Sequence, residues 1–184
     1  MIINEVTGLV KTAVFTFGRM NPPTVGHKRL VDTMLGIKGD PYIFLSHSQD
    51  SKTNPLDFDT KLKYAKKFFP DATVGHKDVK TVMDALKFLE KKKYSAIVFV
   101  AGSDRIAKFG DLIKKYNGKE YTFDSIEFVS AGDRSEQSES VEGMSATKMR
   151  RAVVEDDFDA FSAGVPDAAH AKSLFTDLQK VLVT

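Results

Sequence analysis

The chain has 184 residues, 42% of them hydrophobic, enough for one domain with a substantial core and too few for two large ones. Lys and Arg number 27 against 25 Asp and Glu, a net charge of +2, which does not suggest a general nucleic-acid binder whose basic face skews the whole domain. There is no Cys, which excludes a disulfide framework, a thiolate metal site and a cysteine nucleophile.

Met1 to Lys11 lacks the basic start and apolar run of a signal peptide, and no apolar stretch reaches the length of a membrane span. The expectation is a soluble, cytoplasmic protein with no membrane partner. Ala13 to Phe17 is short, rich in β-formers and ends at Gly18, which predicts a strand. Leu30, Val31, Met34 and Leu35 share one face of a helix that Gly36 stops. Tyr42 to Leu45 predicts a second buried strand. Phe58, Leu62, Ala65 and Phe69 mark a second helix closed by Pro70, and a short strand follows near Ala72 to Val74. Val79, Val82, Met83, Leu86 and Leu89 form the next amphipathic face, with Asp78 as its N-cap. Ala96 to Val100 is the most hydrophobic run, expected centrally in the sheet and covered on both faces. Ile106, Phe109, Ile113 and Tyr116 follow at helical spacing behind Ser103 as cap, and Ile126 to Val129 is the last strand. Gly132 to Gly143 is polar and aperiodic, a loop of the kind that is functional or disordered. Ser145 to Val154 predicts a short helix. Gly164 to Pro166 makes a turn, and Leu174, Leu178, Val181 and Leu182 give a closing helix that docks on the rest.

Alternation of this kind indicates βαβ units. The fold class is α/β, a Rossmann-like doubly wound parallel sheet of about five strands with flanking helices and a C-terminal helical extension. One domain is expected over residues 1–184, with a core at 11–154 and the extension at 155–184.

Two segments carry candidate chemistry. Gly18 to His27 lies between the first strand and the first helix, beyond the carboxyl end of a strand, where open α/β sheets bind ligands. Gly18 permits a close backbone approach, Pro22 and Pro23 stiffen the loop, and Thr24 can cap the helix. Gly26 lets a phosphate approach the helix start, and His27 on the first turn can face the same phosphate, aided by the helix dipole. The bland alternative is an ordinary turn and cap with a partly exposed histidine; the strand, glycine and rigid loop around His27 favour the anion site. In the second segment, Ser145 caps a helix, the amides of Ala146 and Thr147 point outward, and Met149, Ala152 and Val153 pack inward. Lys148 and Arg150 lie elsewhere on that helix, and Arg150 offers a fork of donors to an anion such as a phosphate group. Alone, such a segment reads equally as a capped surface helix with basic residues. Gly102, Ser103 and Asp104 follow the most hydrophobic strand; Asp104 can bind ribose hydroxyls or simply be a first-turn acid of the next helix. His47 reads as an exposed loop histidine, His76 and His170 have no partners at metal-ligand spacing, and the lysines at 61, 63, 66 and 67 read as a solvated helix face.

Thr24-Val25-Gly26-His27 resembles the [HT]xGH signature of the nucleotidylyltransferase superfamily. The wider run Gly18-Arg19-Met20-x-Pro22-x-Thr24-x-Gly26-His27 is most similar to the GRFxPxHxGH form of archaeal-type nicotinamide mononucleotide adenylyltransferases, with Met20 for Phe and Thr24 for the first His. Met144-Ser145-Ala146-Thr147-Lys148-Met149-Arg150 resembles the ISSTxxR motif, with Ala146 for the second Ser. Gly102-Ser103-Asp104 is similar to the turn by which these enzymes hold ribose or the acceptor. Ser46 to Ser51 with Asn54-Pro55-Leu56 resembles the GSAQxS and NPF stretch of the acceptor pocket, from which Ser46 and Asn54 are carried over. The resemblance spans residues 13–151 as short motifs in order.

The resemblance implies an enzyme that transfers a nucleoside monophosphate from an NTP, ATP first, to a small phosphorylated acceptor, nicotinamide mononucleotide first, and releases pyrophosphate. Gly18, Arg19, Met20, Thr24, Gly26, His27, Met144, Ser145, Thr147 and Arg150 would bind the NTP. His27, Arg150 and Lys148 would be catalytic. Ser46, Asn54, Gly102, Ser103 and Asp104 would serve the acceptor or ribose. Mg2+ would be carried by the phosphates with no protein metal site, and a homo-oligomer is possible by the same resemblance. Three alternatives stay open: a cytidylyltransferase or other member of the superfamily, a non-catalytic nucleotide-binding module, and a nucleic-acid-associated protein, which nothing in the charge pattern favours.

Overall fold

The structure, a computed structural model, describes residues 10–132 and 144–184. The short apolar runs form five strands: β1 (Thr12–Gly18), β2 (Asp40–Leu45), β3 (Thr73–Val74), β4 (Ala96–Ala101) and β5 (Ser125–Ser130). All pair in parallel, in the order β3-β2-β1-β4-β5. Between them run α1 (Val25–Leu35), α2 (Phe58–Phe68), α3 (Val82–Lys91) and α4 (Ser103–Lys115), and after β5 come α5 (Ala146–Val154), α6 (Phe158–Ala163) and α7 (Ala171–Leu182). The chain order reverses between β1 and β4, so the loops that follow these two strands diverge there and open a crevice at the carboxyl edge.

Strand side chains alternate between two cores, as the pleat requires. Val14, Ile43, Leu45, Val98 and Val100 face one cluster with Leu30, Val31, Tyr64, Met149, Leu174 and Leu178. Phe15, Phe44, Ile97 and Phe99 face the other, with Val82, Leu86, Leu89 and Ile113. Helices therefore cover both faces of the sheet, which is the doubly wound architecture expected. Among the described residues no helix is long and apolar enough to cross a membrane.

Several details differ from the sequence expectation. The middle strand is β1; β4 lies beside it, paired on both sides and buried from Ile97 to Ala101. Asp78 does not cap α3. Thr81 does, its hydroxyl accepting from the Asp84 amide at 3.1 Å while the Asp84 carboxylate accepts from the Thr81 amide at 3.0 Å. Val79 is buried in the preceding loop, so the apolar pattern ran one turn past the helix. Ser103 is the first residue of α4 and Gly102 is its N-cap, with no side-chain cap bond. Leu35 and Val181 point outward, 42% and 36% exposed, because each helix buries a narrower stripe than its apolar residues suggested. The six-residue α6 was not anticipated, being too short to show a period. The polar loop expected over 132–143 lies, beyond Gly132, outside the described residues.

Candidate active site

The first candidate segment is a preorganised loop. Met20 has φ +42°, a left-handed conformation that costs a non-glycine residue about 1–3 kcal/mol, and its side chain is 2% exposed within the core. It shapes the loop from inside. Asn21, which the sequence reading left without a role, is 2% exposed and exchanges two bonds with the Leu56 backbone. Its Nδ2 donates to the carbonyl and its Oδ1 accepts from the amide, both at 2.9 Å. The peptide between Asn21 and Pro22 is cis.

At the start of α1, Thr24 is the N-cap. Its hydroxyl accepts from the amides of Gly26 at 3.2 Å and His27 at 3.3 Å. The His27 ring turns back, and its Nδ1 accepts the Thr24 amide at 2.9 Å. The Val25 amide donates to the Gly164 carbonyl at 2.9 Å. Thr24 thus performs the structural half of the site, and the amides that a helix start offers to an anion are already engaged. With Nδ1 accepting, the neutral imidazole carries its proton on Nε2, which makes that atom a donor. No acidic residue occupies the first turn of α1 or of α5, whereas α2, α3 and α4 carry Asp59, Asp84 and Asp104 there. A Cβ at Gly18 would meet no atom within 4 Å, and one at Gly26 only the Thr24 hydroxyl at 3.4 Å. Neither packing nor a positive φ demands glycine at these two positions; close approach of another molecule would.

The second segment comes to the first through one side chain. Arg150 donates from Nη1 to the Asn21 carbonyl at 2.8 Å and from Nη2 to the Thr147 hydroxyl at 3.2 Å. Burial first, then the Arg19 charge, lowers its basicity, and Asp50 acts in the opposite direction. Ser145 caps α5 as expected, accepting from the Lys148 amide at 3.2 Å. Met149, Ala152 and Val153 are buried, Met144 is partly buried against the same core, and Lys148 is half-buried. Gly102 is buried at the end of β4, with Ser103 and Asp104 exposed beside it. Arg105 Nη1 reaches the Phe17 carbonyl at 3.4 Å, linking this turn to the end of β1.

The 46–56 segment supplies the third wall. Ser46 donates its amide to the Gly18 carbonyl at 2.9 Å and is 7% exposed. Asn54 is 6% exposed; its Nδ2 donates to the Asp50 carboxylate at 2.8 Å, and its Oδ1 has no hydrogen-bond partner among the described residues. The Asn54 side chain, then the hydroxyl and amide of Thr53 and the Lys52 amide, hold the Asp50 carboxyl well below the usual range. His47 is not an exposed loop histidine: its ring stacks on Phe58 at 4.0 Å, and burial, then Lys80 and Lys61, lower its pKa.

Lys61 departs furthest from expectation. It is fully buried rather than part of a solvated face, and its Nζ donates to the carbonyls of Arg19 at 3.0 Å and Ser46 at 2.5 Å. The available signal was its register: Lys61 stands on the same face as Tyr64, Ala65 and Phe68. Among the described residues no three His, Cys, Asp or Glu come together as a metal cluster.

No family model matches this chain, and no curated protein matches it in sequence. Solved structures do resemble it. A Vibrio parahaemolyticus protein assigned as a nicotinate-nucleotide adenylyltransferase is 18% identical, with TM-score 0.61 over 91% of this chain and 94% of that one. Plasmodium falciparum nicotinic acid mononucleotide adenylyltransferase in complex with APC is 13% identical, with TM-score 0.63 over 95% and 100%. Thermotoga maritima TmcAL, bound to alpha-thio ATP, is 13% identical, with TM-score 0.54 over 92% of this chain and 55% of that one. At these identities the likeness is one of fold, and it extends over nearly the whole chain.

Proposed function

We propose that this chain is a nucleotidyltransferase that moves the AMP moiety of ATP onto a pyridine mononucleotide and releases pyrophosphate. The observation that carries the reading is the bond from Arg150 to the Asn21 carbonyl, which joins the two candidate phosphate segments at the carboxyl edge of the sheet. Fold likeness to nicotinate-nucleotide adenylyltransferases supports the same substrate class. Nicotinamide mononucleotide is the acceptor that the sequence motifs favour, and its nicotinate counterpart is the acceptor those neighbours suggest.

In this reading the acceptor phosphate oxygen attacks the α-phosphorus in line. The new P–O bond forms as the bond to the β-phosphate breaks, and its electron pair leaves with pyrophosphate. The nucleophile is already an anion, so no proton is transferred and His27 is not a base. The Nε2–H of His27 donates to an α-phosphate oxygen as charge builds there. Arg19, Lys148 and Arg150 hold the departing pyrophosphate, and Gly18 and Gly26 let it come close to the backbone. Ser145 and Thr147 shape the start of α5, Met20, Thr24 and Met144 fix the walls, and Ser46, Asn54, Gly102, Ser103 and Asp104 border the acceptor and ribose. Cationic side chains fit a nucleotide that brings its own magnesium on phosphate oxygens, where the ion would neutralise charge. One domain, core 11–154 with its extension at 155–184, would carry the activity.

The test is pyrophosphate release from each NTP with magnesium across a panel of phosphorylated acceptors. Release with ATP and either pyridine mononucleotide is the expected result, and their ratio settles the acceptor. Release only with CTP and a phosphorylated alcohol would replace the substrate assignment. ATP binding with no release for any pair would overturn the enzymatic reading in favour of a binding module.

A further inference from the structure

A buried lysine ordinarily sits beside a carboxylate, since an unbalanced charge is costly to take from water. Lys61 has none within ion-pair distance among the described residues. Its ammonium instead donates to the carbonyls that follow β1 and end β2, those of Arg19 and Ser46, with the Ser46 hydroxyl at 3.5 Å. Ser46 is itself bonded through its amide to the Gly18 carbonyl. One ammonium therefore gathers the backbone of both walls, close to the Arg19 guanidinium. The neutral amine could keep two donors on the two carbonyls, so the contacts alone do not require the charge.

We propose that Lys61 is a positioning residue for the nucleotide: its buried ammonium holds the Arg19 segment against the end of β2, and its unbalanced charge is completed by the arriving polyphosphate. This rests on the nucleotide-binding reading above. A negative ligand at Arg19 draws a proton onto Lys61 and keeps it there.

Burial first, then the Arg19 charge, lower the Lys61 pKa to about 8. Among the described residues, the charges that act on it or that it acts on are Arg19 from the loop after β1 and His47 from the segment after β2, and Tyr64 stands one turn along the same face of α2. Guanidiniums do not titrate near pH 8. His47 is shifted down and Tyr64 up from their ordinary values, both away from that range. ATP phosphates are fully ionised above about pH 7.5. His27 keeps Nδ1 occupied by the Thr24 amide, so proton uptake near pH 8 on ATP binding reports Lys61.

Calorimetric titration of the full chain with ATP is the test. From about pH 7 to 9, affinity for the wild type should fall roughly tenfold, because above its pKa the lysine must first gain a proton. Lys61→Met and Lys61→Arg should bind with little pH dependence, the Arg variant retaining most of the affinity at pH 7. At about pH 8.5 the wild type should take up a fraction of a proton, read from binding heats in buffers of different ionisation enthalpy. That measurement needs no variant to fold. Zero uptake, or the same pH slope in wild type and a folded variant, would overturn the proposal and leave the nucleotide reading intact. Absence of ATP binding at every pH would overturn both.

Discussion

At the scale of single residues, the proposed site separates groups that hold the loop from groups that would meet a nucleotide. Thr24 accepts two amides with its hydroxyl and His27 accepts a third with Nδ1, and in the proposed reading the histidine acts on the nucleotide through its Nε2–H. His27→Ala should lower turnover by roughly 100- to 1000-fold, the usual cost of removing one donor to a developing anion, with a smaller change in KM. A folded variant with full turnover would remove His27 from the mechanism. Thr24 and Ser145 were legible as caps because capping is local chemistry, decided within three residues. Lys61 and Asn21 were not. Their partners, Arg19, Ser46 and Leu56, come from other elements, and no spacing rule tells a lysine at a core position from one on a wet face.

Elements were read well where a long apolar period met a clear stop, as in α1 with Gly36 as C-cap, and less well where packing overrode the pattern. The short α6 is the clearest case, since its place is set by tertiary contacts. Phe161 is fully buried and meets Phe175 edge-on at 5.2 Å, and Gly164, the C-cap of α6, lies against the start of α5. A Cβ on Gly164 would meet Met144 Cγ at 2.4 Å and Met149 Sδ at 2.9 Å. Gly164→Ala should therefore push α5 away, cost roughly 1–3 kcal/mol in thermal unfolding and raise the KM for ATP by displacing Arg150. An unchanged melting temperature and KM would show that the methionines repack freely. The effect on nucleotide binding belongs to the element, since Gly164 also gives its carbonyl to the Val25 amide.

For the whole molecule, sheet and helices form the framework, and in the proposed reading a polyphosphate completes the charge at one edge. Alternating apolar runs were sufficient to read the parallel sheet, because strands buried on both faces leave an unmistakable pattern. The position of β4 beside β1 came only from the strand order, which sequence spacing does not encode. ATP at a hundred times its dissociation constant should stabilise the fold by about 2.7 kcal/mol, a rise of roughly 5–11 °C in melting temperature for a chain of this size. With the concentration of ATP fixed, that rise should shrink as ionic strength approaches 1 M, where the Debye length is about 3 Å. A shift insensitive to salt would mean that the base and sugar, not the phosphates, dominate binding. The bond from the Val25 amide to the Gly164 carbonyl has a temporal consequence. A ribosome delivers the loop after β1 before its brace, so a nascent chain holds that loop without this hydrogen bond until Gly164 has emerged. On the proposed reading, competence to grip a nucleotide arrives only with that segment, which the sequence reads as a turn.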